Sequence, residues 1–409
     1  MSISHALQLN SSVLLSAAVD GYIAYDVRLD RLYRLNPSAA LIVELCDGTR
    51  DLGQLQTDIK GLVGVDWQRC VAWIDIAIRD DLLTNAPPDP GALSAPDAAE
   101  LSTLADTLWH RDRVLAAFVC QQRAAELAPD DPDMWVKLGE LAHIVGRRDE
   151  ARNAYQRYLR QCPDDAEVAH LLTALNDATP PARVSDRCIE QLYCRFAAFY
   201  DENMVDELDY CAPDRLYDAV ITEIGGRTGL DILDLGCGTG LSGARWRARS
   251  GQLVGIDLSP EMNARAAERG IYDRLETAEI TSWLAGQRSD QFDLIVACDT
   301  LIYFGDLAQV VTKARARLRQ TGLLAFTLER GTTHPFALSD SGRFTHHPDY
   351  VAGVVTAAGL TLLELDETFV RREYGEPVVG LIAVCGGSPS AAKAPLRSAT
   401  SRLSAPAAG

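Results

Sequence analysis

The sequence lacks the cysteine and histidine spacings by which many proteins bind a structural metal. It contains ten cysteines and seven histidines, and no two cysteines form a C-x-x-C pair. Because thiolate metal sites need such close spacing or a nearby histidine cluster, the sequence predicts no metal site. We expect buried free thiols in a reducing compartment, the cytoplasm.

Positive charge is also scarce, and long apolar runs are missing. Lysine and arginine number 39 against 57 aspartates and glutamates, which gives a net charge of -18. A chain this acidic is poorly suited to neutralise phosphates, so nucleic acid is not an expected partner. No apolar run reaches the length of a membrane span, and residues 1–19 lack the basic start and apolar core of a signal peptide. We therefore expect no membrane contact.

One glycine-rich stretch organises the rest of the chain. Residues 231–240 read DILDLGCGTG, an apolar strand that leads into a turn containing Gly236, Gly238 and Gly240. Glycines let a backbone bend sharply and approach a ligand, because no Cβ stands in the way. We expect a helix over residues 241–249, whose N-terminus would offer free N–H groups to a negative group.

An acidic residue closes the next predicted strand, about 20 residues further on, at the position that binds ribose hydroxyls in dinucleotide sites. This residue is Asp257. The dinucleotide fingerprint is G-x-G-x-x-G, whereas this turn reads G-x-G-x-G, and Asp234 stands two residues before the first glycine. The combination resembles motif I of class I S-adenosylmethionine-dependent methyltransferases. The resemblance implies a Rossmann-like α/β domain with S-adenosylmethionine as cofactor.

Other positions follow from the same resemblance. A predicted strand over 275–280 ends near Glu279, where the family usually has an acid, more often Asp, that pairs with the adenine amino group. A predicted strand over 292–297 ends beside Asp299, at the sheet edge where open α/β sheets bind ligands. The implied cofactor-binding residues are Tyr200, Asp234, Gly236, Gly238, Gly240, Asp257, Leu258, Met262, Glu279, Ile280 and Asp299.

The catalytic residues are harder to infer. A sulfonium is already a good leaving group, so methyl transfer depends mainly on positioning and desolvation of the reactants. A general base helps only where the acceptor carries a proton. The candidates near the cleft mouth are Tyr303, Glu329 and His334, with His346 as a fourth. For each of them the alternative is a surface or supporting residue.

Residues 1–85 predict a small separate domain. Three short strands, over 13–19, 22–26 and 31–35, precede three helices, over 39–46, over 49–62 and after Asp66. The third helix is expected to bury a stripe formed by Trp67, Val71, Ile74, Ile78 and Leu82. This order, with the phrase YRLNPS at 33–38, resembles the PqqD-like family, winged domains that recognise ribosomally made, modified peptides.

That resemblance implies a partner. A leader peptide would add as a strand beside Arg31–Leu35, against the third helix. A generic winged-helix fold is the alternative. DNA reading is disfavoured, because the third helix carries more acidic than basic residues.

A Pro-rich linker over 86–96 separates this domain from a repeat. The pairs Leu104 and Leu138, Ala117 and Ala151, and Pro129 and Pro163 each lie 34 residues apart. This interval is the period of the tetratricopeptide repeat. We expect helices over 97–180 that act either as a spacer or as a surface for a protein partner.

Residues 181–386 form the predicted methyltransferase domain, and the Ser-, Ala- and Pro-rich residues 387–409 are expected to be disordered. Stretches at 299–306, 326–330 and 341–350 resemble bacterial methyltransferases that carry tetratricopeptide repeats. The sequence therefore predicts a methyltransferase that acts on a ribosomally made peptide. Two alternatives stay open: a methyltransferase of small molecules, and a peptide-binding adaptor without turnover.

Overall fold

The structure is a computed structural model that describes residues 6–60, 66–85, 96–176, 179–204, 208–286, 291–373 and 376–387. The chain divides into two compact units, Met1–Cys162 and Pro163–Gly409. The predicted linker at 86–96 and the tail at 387–409 fall almost wholly outside the described residues. The predicted five-segment division stays a prediction.

The first unit starts with short strands and three helices. The strands are β1 (Gln8–Leu9), β2 (Val13–Ala18), β3 (Gly21–Asp26), β4 (Arg31–Leu35) and β5 (Leu83–Thr84), and the helices are α1 (Pro37–Leu45), α2 (Leu52–Lys60) and α3 (Trp67–Arg79). The predicted order of three strands and three helices corresponds to β2–β4 and α1–α3, and the short strands β1 and β5 were not predicted. The Asn36 side chain caps α1 and the Asp66 side chain caps α3, as short polar side chains do when they accept a first-turn N–H.

The sheet of this unit runs β2-β3-β4, so β4 lies at an edge. The turn between β2 and β3 requires Gly21, whose φ is +136° and whose Cβ would lie 1.8 Å from the Leu35 carbonyl oxygen. One face of the sheet packs on α1–α3 through a core that includes Ala24 and Leu35. Helix formation by α1–α3 therefore depends on this sheet as well as on local propensity.

The face of α3 differs from the predicted stripe. The buried residues are Cys70, Ile74 and Ala77, while Val71 is only partly buried and Ile76 is 47% exposed. Trp67 and Ile78 pack at the margins of the core. The buried face of α3 is therefore rotated about the helix axis relative to the predicted stripe. The small side chains of Cys70 and Ala77 let α3 approach the core closely, whereas the prediction followed the more hydrophobic residues.

Four further helices complete the first unit: α4 (Ala98–Trp109), α5 (Val114–Leu127), α6 (Pro132–Ile144) and α7 (Arg148–Gln161). Gly139 lies under the ring of Tyr155, and a Cβ there would be 2.3 Å from that ring. The second face of the small sheet packs on α5. Arg113, just before α5, pairs with Asp30 at 2.6 Å, and Arg147, just before α7, donates to the Ser16 hydroxyl at 3.3 Å. The strands and the helices thus form one packed body.

The second unit is an α/β domain. Its helices are α8 (Ala166–Leu175), α9 (Asp186–Phe196), α10 (Tyr200–Glu202), α11 (Ala212–Ile224), α12 (Gly243–Trp246), α13 (Pro260–Glu268), α14 (Ile280–Ala285), α15 (Ala308–Arg317) and α16 (Pro348–Ala357). Its strands are β6 (Leu230–Leu235), β7 (Ser250–Asp257), β8 (Arg274–Thr277), β9 (Phe292–Ala297), β10 (Leu318–Arg330), β11 (Phe336–Leu338), β12 (Phe344–His346), β13 (Leu360–Glu373) and β14 (Glu376–Gly387).

The strand order β8-β7-β6-β9-β10-β14-β13 places β6 at the point where the chain reverses direction across the sheet. Strands β6 to β10 pair in parallel, and β14 runs antiparallel to both β10 and β13. Alternate residues of β6 enter two cores, with Leu233 on one face and Ile232 on the other. Both faces are covered by helices, which confirms the predicted Rossmann-like architecture.

Two predicted elements were wrong. The helix over 241–249 is a single turn, Gly243–Trp246, because the chain turns after it and enters β7 at Ser250. A helix this short offers no N-terminal anion site. The strand over 275–280 ends at Thr277, since the Glu279 carboxylate accepts the Thr281 and Ser282 N–H groups and starts α14.

No helix among the described residues is long and apolar enough to cross a membrane.

Candidate functional site

A cavity opens at the carboxyl ends of β6, β7 and β9, beside the reversal in strand order. Its lining residues are Arg183, Ile189, Tyr193, Tyr200, Gly236, Gly238, Asp257, Leu258, Met262, Glu279, Ile280, Cys298, Asp299, Thr300, Tyr303 and Phe304. The structure thus brings most of the predicted cofactor residues to one place. Ligands of open α/β sheets bind at this edge, since the loops that leave adjacent parallel strands diverge there.

The three glycines of the turn after β6 serve different purposes. Gly238 has φ +54°, and a Cβ built on it would meet no atom within 4 Å, so its open side belongs to the cavity. A Cβ on Gly236 would lie 2.3 Å from Thr300, and one on Gly240 would lie 3.0 Å from Cδ of Arg269. Only Gly236 and Gly238 line the cavity. Gly240, predicted as a cofactor residue, instead makes room for Arg269.

Asp257 ends β7 with its carboxylate held in place by the backbone. One oxygen accepts the Gly238 N–H at 2.8 Å, and the other accepts the Ser259 N–H at 2.9 Å. Burial raises the pKa of this carboxyl, and the two backbone N–H groups oppose that rise. Each oxygen keeps a lone pair, so the carboxylate is oriented to accept hydroxyl groups from a ligand.

Asp234, also predicted to bind cofactor, does not line the cavity. It is fully buried, and one carboxylate oxygen accepts the Tyr272 hydroxyl at 2.7 Å while the other has no hydrogen-bond partner. Burial raises its pKa to about 7. Asp234 therefore supports the turn from beneath rather than contacting a ligand at the cavity wall.

An apolar slot with one acid forms the side of the cavity next to β7 and α14. Leu258, Met262 and Ile280 supply apolar surface, and Glu279 supplies a carboxylate. Burial raises the pKa of Glu279, but the hydrogen bonds from Thr281 and Ser282 outweigh it and leave the pKa lowered. A flat heteroaromatic ring with an exocyclic amine fits such a slot.

Three tyrosines, Tyr193, Tyr200 and Tyr303, form a further part of the cavity lining. The hydroxyls of Tyr193 and Tyr303 are hydrogen-bonded at 2.6 Å, and the Tyr193 ring meets that of Tyr200 edge to face. Burial raises the pKa of each phenol, although Arg343 and Arg371 oppose the rise at Tyr303. The phenols therefore stay protonated at neutral pH and can donate or share hydrogen bonds.

A buried network of charges lies behind this side of the cavity. Asp299, whose φ is +49°, accepts from Thr327 at 2.8 Å and from Arg371 at 3.0 Å. Arg371 also pairs with Glu329, and Arg343 donates to the same carboxylate at 2.8 Å. Only Asp299 of this network lines the cavity. Strained backbone of this kind persists where the surroundings impose it, often at functional sites.

Three catalytic candidates, Glu329, His334 and His346, lie away from the cavity. Burial raises the pKa of Glu329, but Arg343 and Arg371 outweigh it and lower that pKa, so the carboxylate is a fixed ion-pair partner and not a free base. His334 is exposed on a turn before β11. His346 is fully buried, with Nε2 3.2 Å from the Gly305 carbonyl oxygen. Of the candidates, only Tyr303 reaches the cavity.

Sequence reasoning missed Arg183, Ile189, Tyr193 and Phe304 as lining residues. A signal was available for two of them, because Ile189 and Tyr193 are four residues apart and share one face of α9. Arg183 and Phe304 are joined by an isolated bridge between distant segments, which no local pattern indicates.

The lining residues fit S-adenosylmethionine. The open side of Gly238 leaves room for a ligand against the backbone, the oriented Asp257 carboxylate suits ribose hydroxyls, and the apolar slot suits adenine. Among the described residues, no group of three or more His, Cys, Asp or Glu side chains is arranged to hold a metal ion.

Comparison with known proteins gives a family match for part of the chain. Residues 233–324 match the family model of a methyltransferase domain. The chain is 27% identical over 146 residues to the malonyl-[acyl-carrier protein] O-methyltransferase of Salmonella typhimurium, a match that covers 36% of this chain and 55% of that protein. It is 30% identical over 164 residues to the ubiquinone biosynthesis O-methyltransferase of Xanthomonas oryzae pv. oryzae, covering 36% of this chain and 68% of that protein.

The chain thus spans about half the length of the first of these relatives. Among solved structures, the N-methyltransferase NodS from Bradyrhizobium japonicum, in complex with S-adenosyl-L-homocysteine, aligns with a TM-score of 0.40 at 20% identity. That alignment covers 49% of this chain and 98% of the other.

Proposed function

The chain belongs to the S-adenosylmethionine-dependent methyltransferases, and we propose that it methylates a ribosomally made peptide whose leader is bound by the first unit. The observation that carries this proposal is β4, an edge strand of a three-stranded sheet that pairs with β3 on one side, in a domain with three helices. This arrangement supports the PqqD-like resemblance of residues 1–85.

In the second unit, S-adenosylmethionine supplies a methyl group on a positively charged sulfur. The chain's own residues hold and shield the reactants. Asp257 accepts the ribose hydroxyls, and the apolar slot holds the adenine ring. Tyr193 and Tyr303 exclude water from the side where the methyl acceptor binds. With the phenols protonated, the site works by positioning rather than by removing a proton.

Edge strands bind peptides because they present unpaired backbone N–H and C=O groups that a second chain can satisfy. The opposite edge of the sheet, β2, is approached by Arg147, which donates to the Ala17 carbonyl and the Ser16 hydroxyl. These contacts favour β4 as the site of strand addition.

The walls beside β4 support an extended peptide. The Tyr33 hydroxyl donates to the Asp80 carbonyl at the end of α3, so this end of the helix flanks the strand. Ile76, one helical turn before Asp80, is 47% exposed, and Trp73 lies one turn further back and is partly buried. We propose these two side chains, rather than the predicted stripe, as the apolar wall for leader side chains.

Charge beside β4 indicates which leaders fit. Arg31 and Arg34 are both exposed, although the whole chain carries a net charge of -18. Local positive charge in an acidic protein favours a leader with acidic residues. The helix pairs α4–α5 and α6–α7 have the length of tetratricopeptide repeats, and we propose that they brace this domain or bind a further protein.

The ten cysteines are all free thiols, which supports the cytoplasm as the compartment of the enzyme.

A second candidate function is methylation of a small molecule or a carrier-bound acyl group. The relatives named malonyl-[acyl-carrier protein] O-methyltransferase and ubiquinone biosynthesis O-methyltransferase favour it. In that case the first unit would serve assembly or stability. A third candidate, an adaptor without turnover, is disfavoured because Gly238 and Asp257 keep the geometry that a cofactor needs.

The test is methylation of short peptides encoded beside the gene, followed by mass spectrometry. We expect methylation of a full precursor by the intact chain, and a large loss for the Leu32→Pro variant, because proline removes an N–H and distorts the edge. Arg123→Ala, which breaks an exposed pair on α5, is the control. Equal methylation of precursor with and without its leader would contradict leader recognition and favour the second candidate.

A further inference from the structure

The segment 197–204 covers one side of the cavity with a single layer of chain. Phe199 is 48% exposed on its outer side, whereas the next residue, Tyr200, lines the cavity. The neighbouring backbone is tied to α13 by the weak bond from Arg265 to the Ala198 carbonyl at 3.4 Å. A segment this thin keeps its place only through a few specific contacts.

The strongest of these contacts belong to Asp201. One of its carboxylate oxygens accepts the Thr239 hydroxyl at 2.5 Å, and the other pairs with Arg269 at the end of α13. Arg269 also donates from Nε to the Thr239 carbonyl at 2.6 Å. Three elements therefore meet at one point: the covering segment, the glycine-rich turn and the helix that follows β7.

We propose that Asp201 is a positioning residue that holds Tyr200 against the cofactor and slows the release of the bound cofactor or its product. The bond to Thr239 is the reason, since Thr239 is 3% exposed and lies between Gly238, which lines the cavity, and Gly240. A shift of the turn is thus transmitted to Tyr200 through a charge-assisted hydrogen bond.

This role also explains the third glycine of the turn. Gly240 does not line the cavity, yet a Cβ there would lie 3.0 Å from Cδ of Arg269 and 3.1 Å from the Tyr272 ring. Its φ of +90° is one that other residues rarely adopt. Glycine at this position lets Arg269 pass over the turn and reach Asp201.

The inference depends on cofactor binding and not on the nature of the acceptor. Because Asp201 and Arg269 keep 45% and 29% of their side chains exposed, solvent screens the ion pair. The expected effect is therefore reduced to that of one ordinary hydrogen bond, roughly a five- to tenfold change in rate or affinity.

The experiment measures dissociation of S-adenosylhomocysteine by stopped flow, together with hydrogen exchange of residues 197–204 in the ligand-free chain. Asp201→Ala should release the ligand about five- to tenfold faster and should raise exchange in this segment only. The control is Asp214→Ala, which breaks the exposed pair between Asp214 and Arg245 at 2.6 Å. It should leave both measurements unchanged.

Two further variants distinguish a positioning role of Asp201 from general damage to the fold. Asp201→Glu should restore slow release in part, and Arg269→Ala should add little to Asp201→Ala, because both changes break the same contact. Unchanged dissociation in Asp201→Ala with an intact fold by circular dichroism would overturn the proposal. If the unaltered chain bound no S-adenosylhomocysteine, the cofactor assignment itself would fail, an outcome distinct from failure of the positioning role.

Discussion

Asp257 and Gly238 are the two residues whose substitution tests the cofactor site most directly. We expect Asp257→Ala to weaken S-adenosylhomocysteine binding by ~1.5–3 kcal/mol, the typical loss of a charged hydrogen-bond acceptor. Gly238→Val should abolish binding, because its side chain would occupy the open side of the turn. Isothermal calorimetry measures both. Unaltered affinity in both variants would remove these residues from the site.

Tyr303 tests whether the reaction needs a base. Its hydroxyl shares a hydrogen bond with Tyr193, and burial raises its pKa, so it is protonated at neutral pH. If the acceptor is an ionised carboxylate, which is already a nucleophile, we expect Tyr303→Phe to retain measurable turnover with unchanged cofactor affinity.

His334→Ala, a change on an exposed turn, is the matched control for Tyr303. Complete loss of turnover in Tyr303→Phe alone would instead indicate an acceptor that must lose a proton.

The burial of the His346 imidazole predicts that the stability of the fold depends on pH. Burial lowers the pKa of this imidazole from 6.5 to about 4. Between these values the unfolded chain binds a proton that the folded chain does not, so stability falls as pH decreases from about 6.5 to about 4. The loss from this group is at most roughly 3 kcal/mol.

His346→Phe should remove that contribution. The difference in unfolding free energy between the unaltered chain and the variant, measured in urea, should shrink as the pH falls through this window. A difference that is the same at pH 7 and pH 4 would contradict the assignment.

At the scale of elements, β13 is joined to the cavity through Arg371. Its side chain is 5% exposed and pairs with Asp299 and Glu329, both buried. Arg371→Met should destabilise the fold by about 3–5 kcal/mol, because it leaves the Asp299 carboxylate without its cation and Glu329 with Arg343 as its remaining cation.

The next residue on the same strand gives the control. Arg372 pairs with Asp209 at 2.9 Å, and its side chain is 35% exposed. Arg372→Met should cost less than about 1 kcal/mol, as surface pairs do. Urea unfolding measures both variants. Similar losses in the two would mean that burial does not control the strength of the network.

Several elements were predictable because their signals are local. The buried strand 292–297 and the start of a helix after Asp66 each depend on a few neighbouring residues. The helix at 241–249 was mispredicted because β7 begins at Ser250, and its pairing with β6 and β8 depends on residues distant in sequence.

At the scale of the whole molecule, each unit carries its own core. The two large cores of the α/β domain contain only residues beyond position 163, and the whole cavity lining falls between Arg183 and Phe304. We expect a chain of residues 163–409 to bind S-adenosylhomocysteine with nearly unchanged affinity. It should methylate a leader-bearing precursor about 100-fold more slowly, because the leader no longer raises the local substrate concentration.

A truncated chain that lacks the first unit should begin after Cys162 and not in the predicted linker over 86–96. Arg113 pairs with Asp30 and Arg147 contacts Ser16, so removing residues 1–90 alone would strip the face of α5 that packs on the small sheet. Precursor methylation at an unaltered rate by residues 163–409 would show that the first unit is not the recognition element.

The sequence by itself determined the family, the cofactor and most of the residues that line the cavity. The G-x-G-x-G turn and Asp257 depend on backbone geometry that only a few residue types allow, so they can be read locally. Only the tertiary structure decided which candidates meet. It placed Tyr303 in the cavity, enclosed Glu329 between two arginines and left His334 on the surface. Burial and pairing arise between distant segments, and residue type does not specify them.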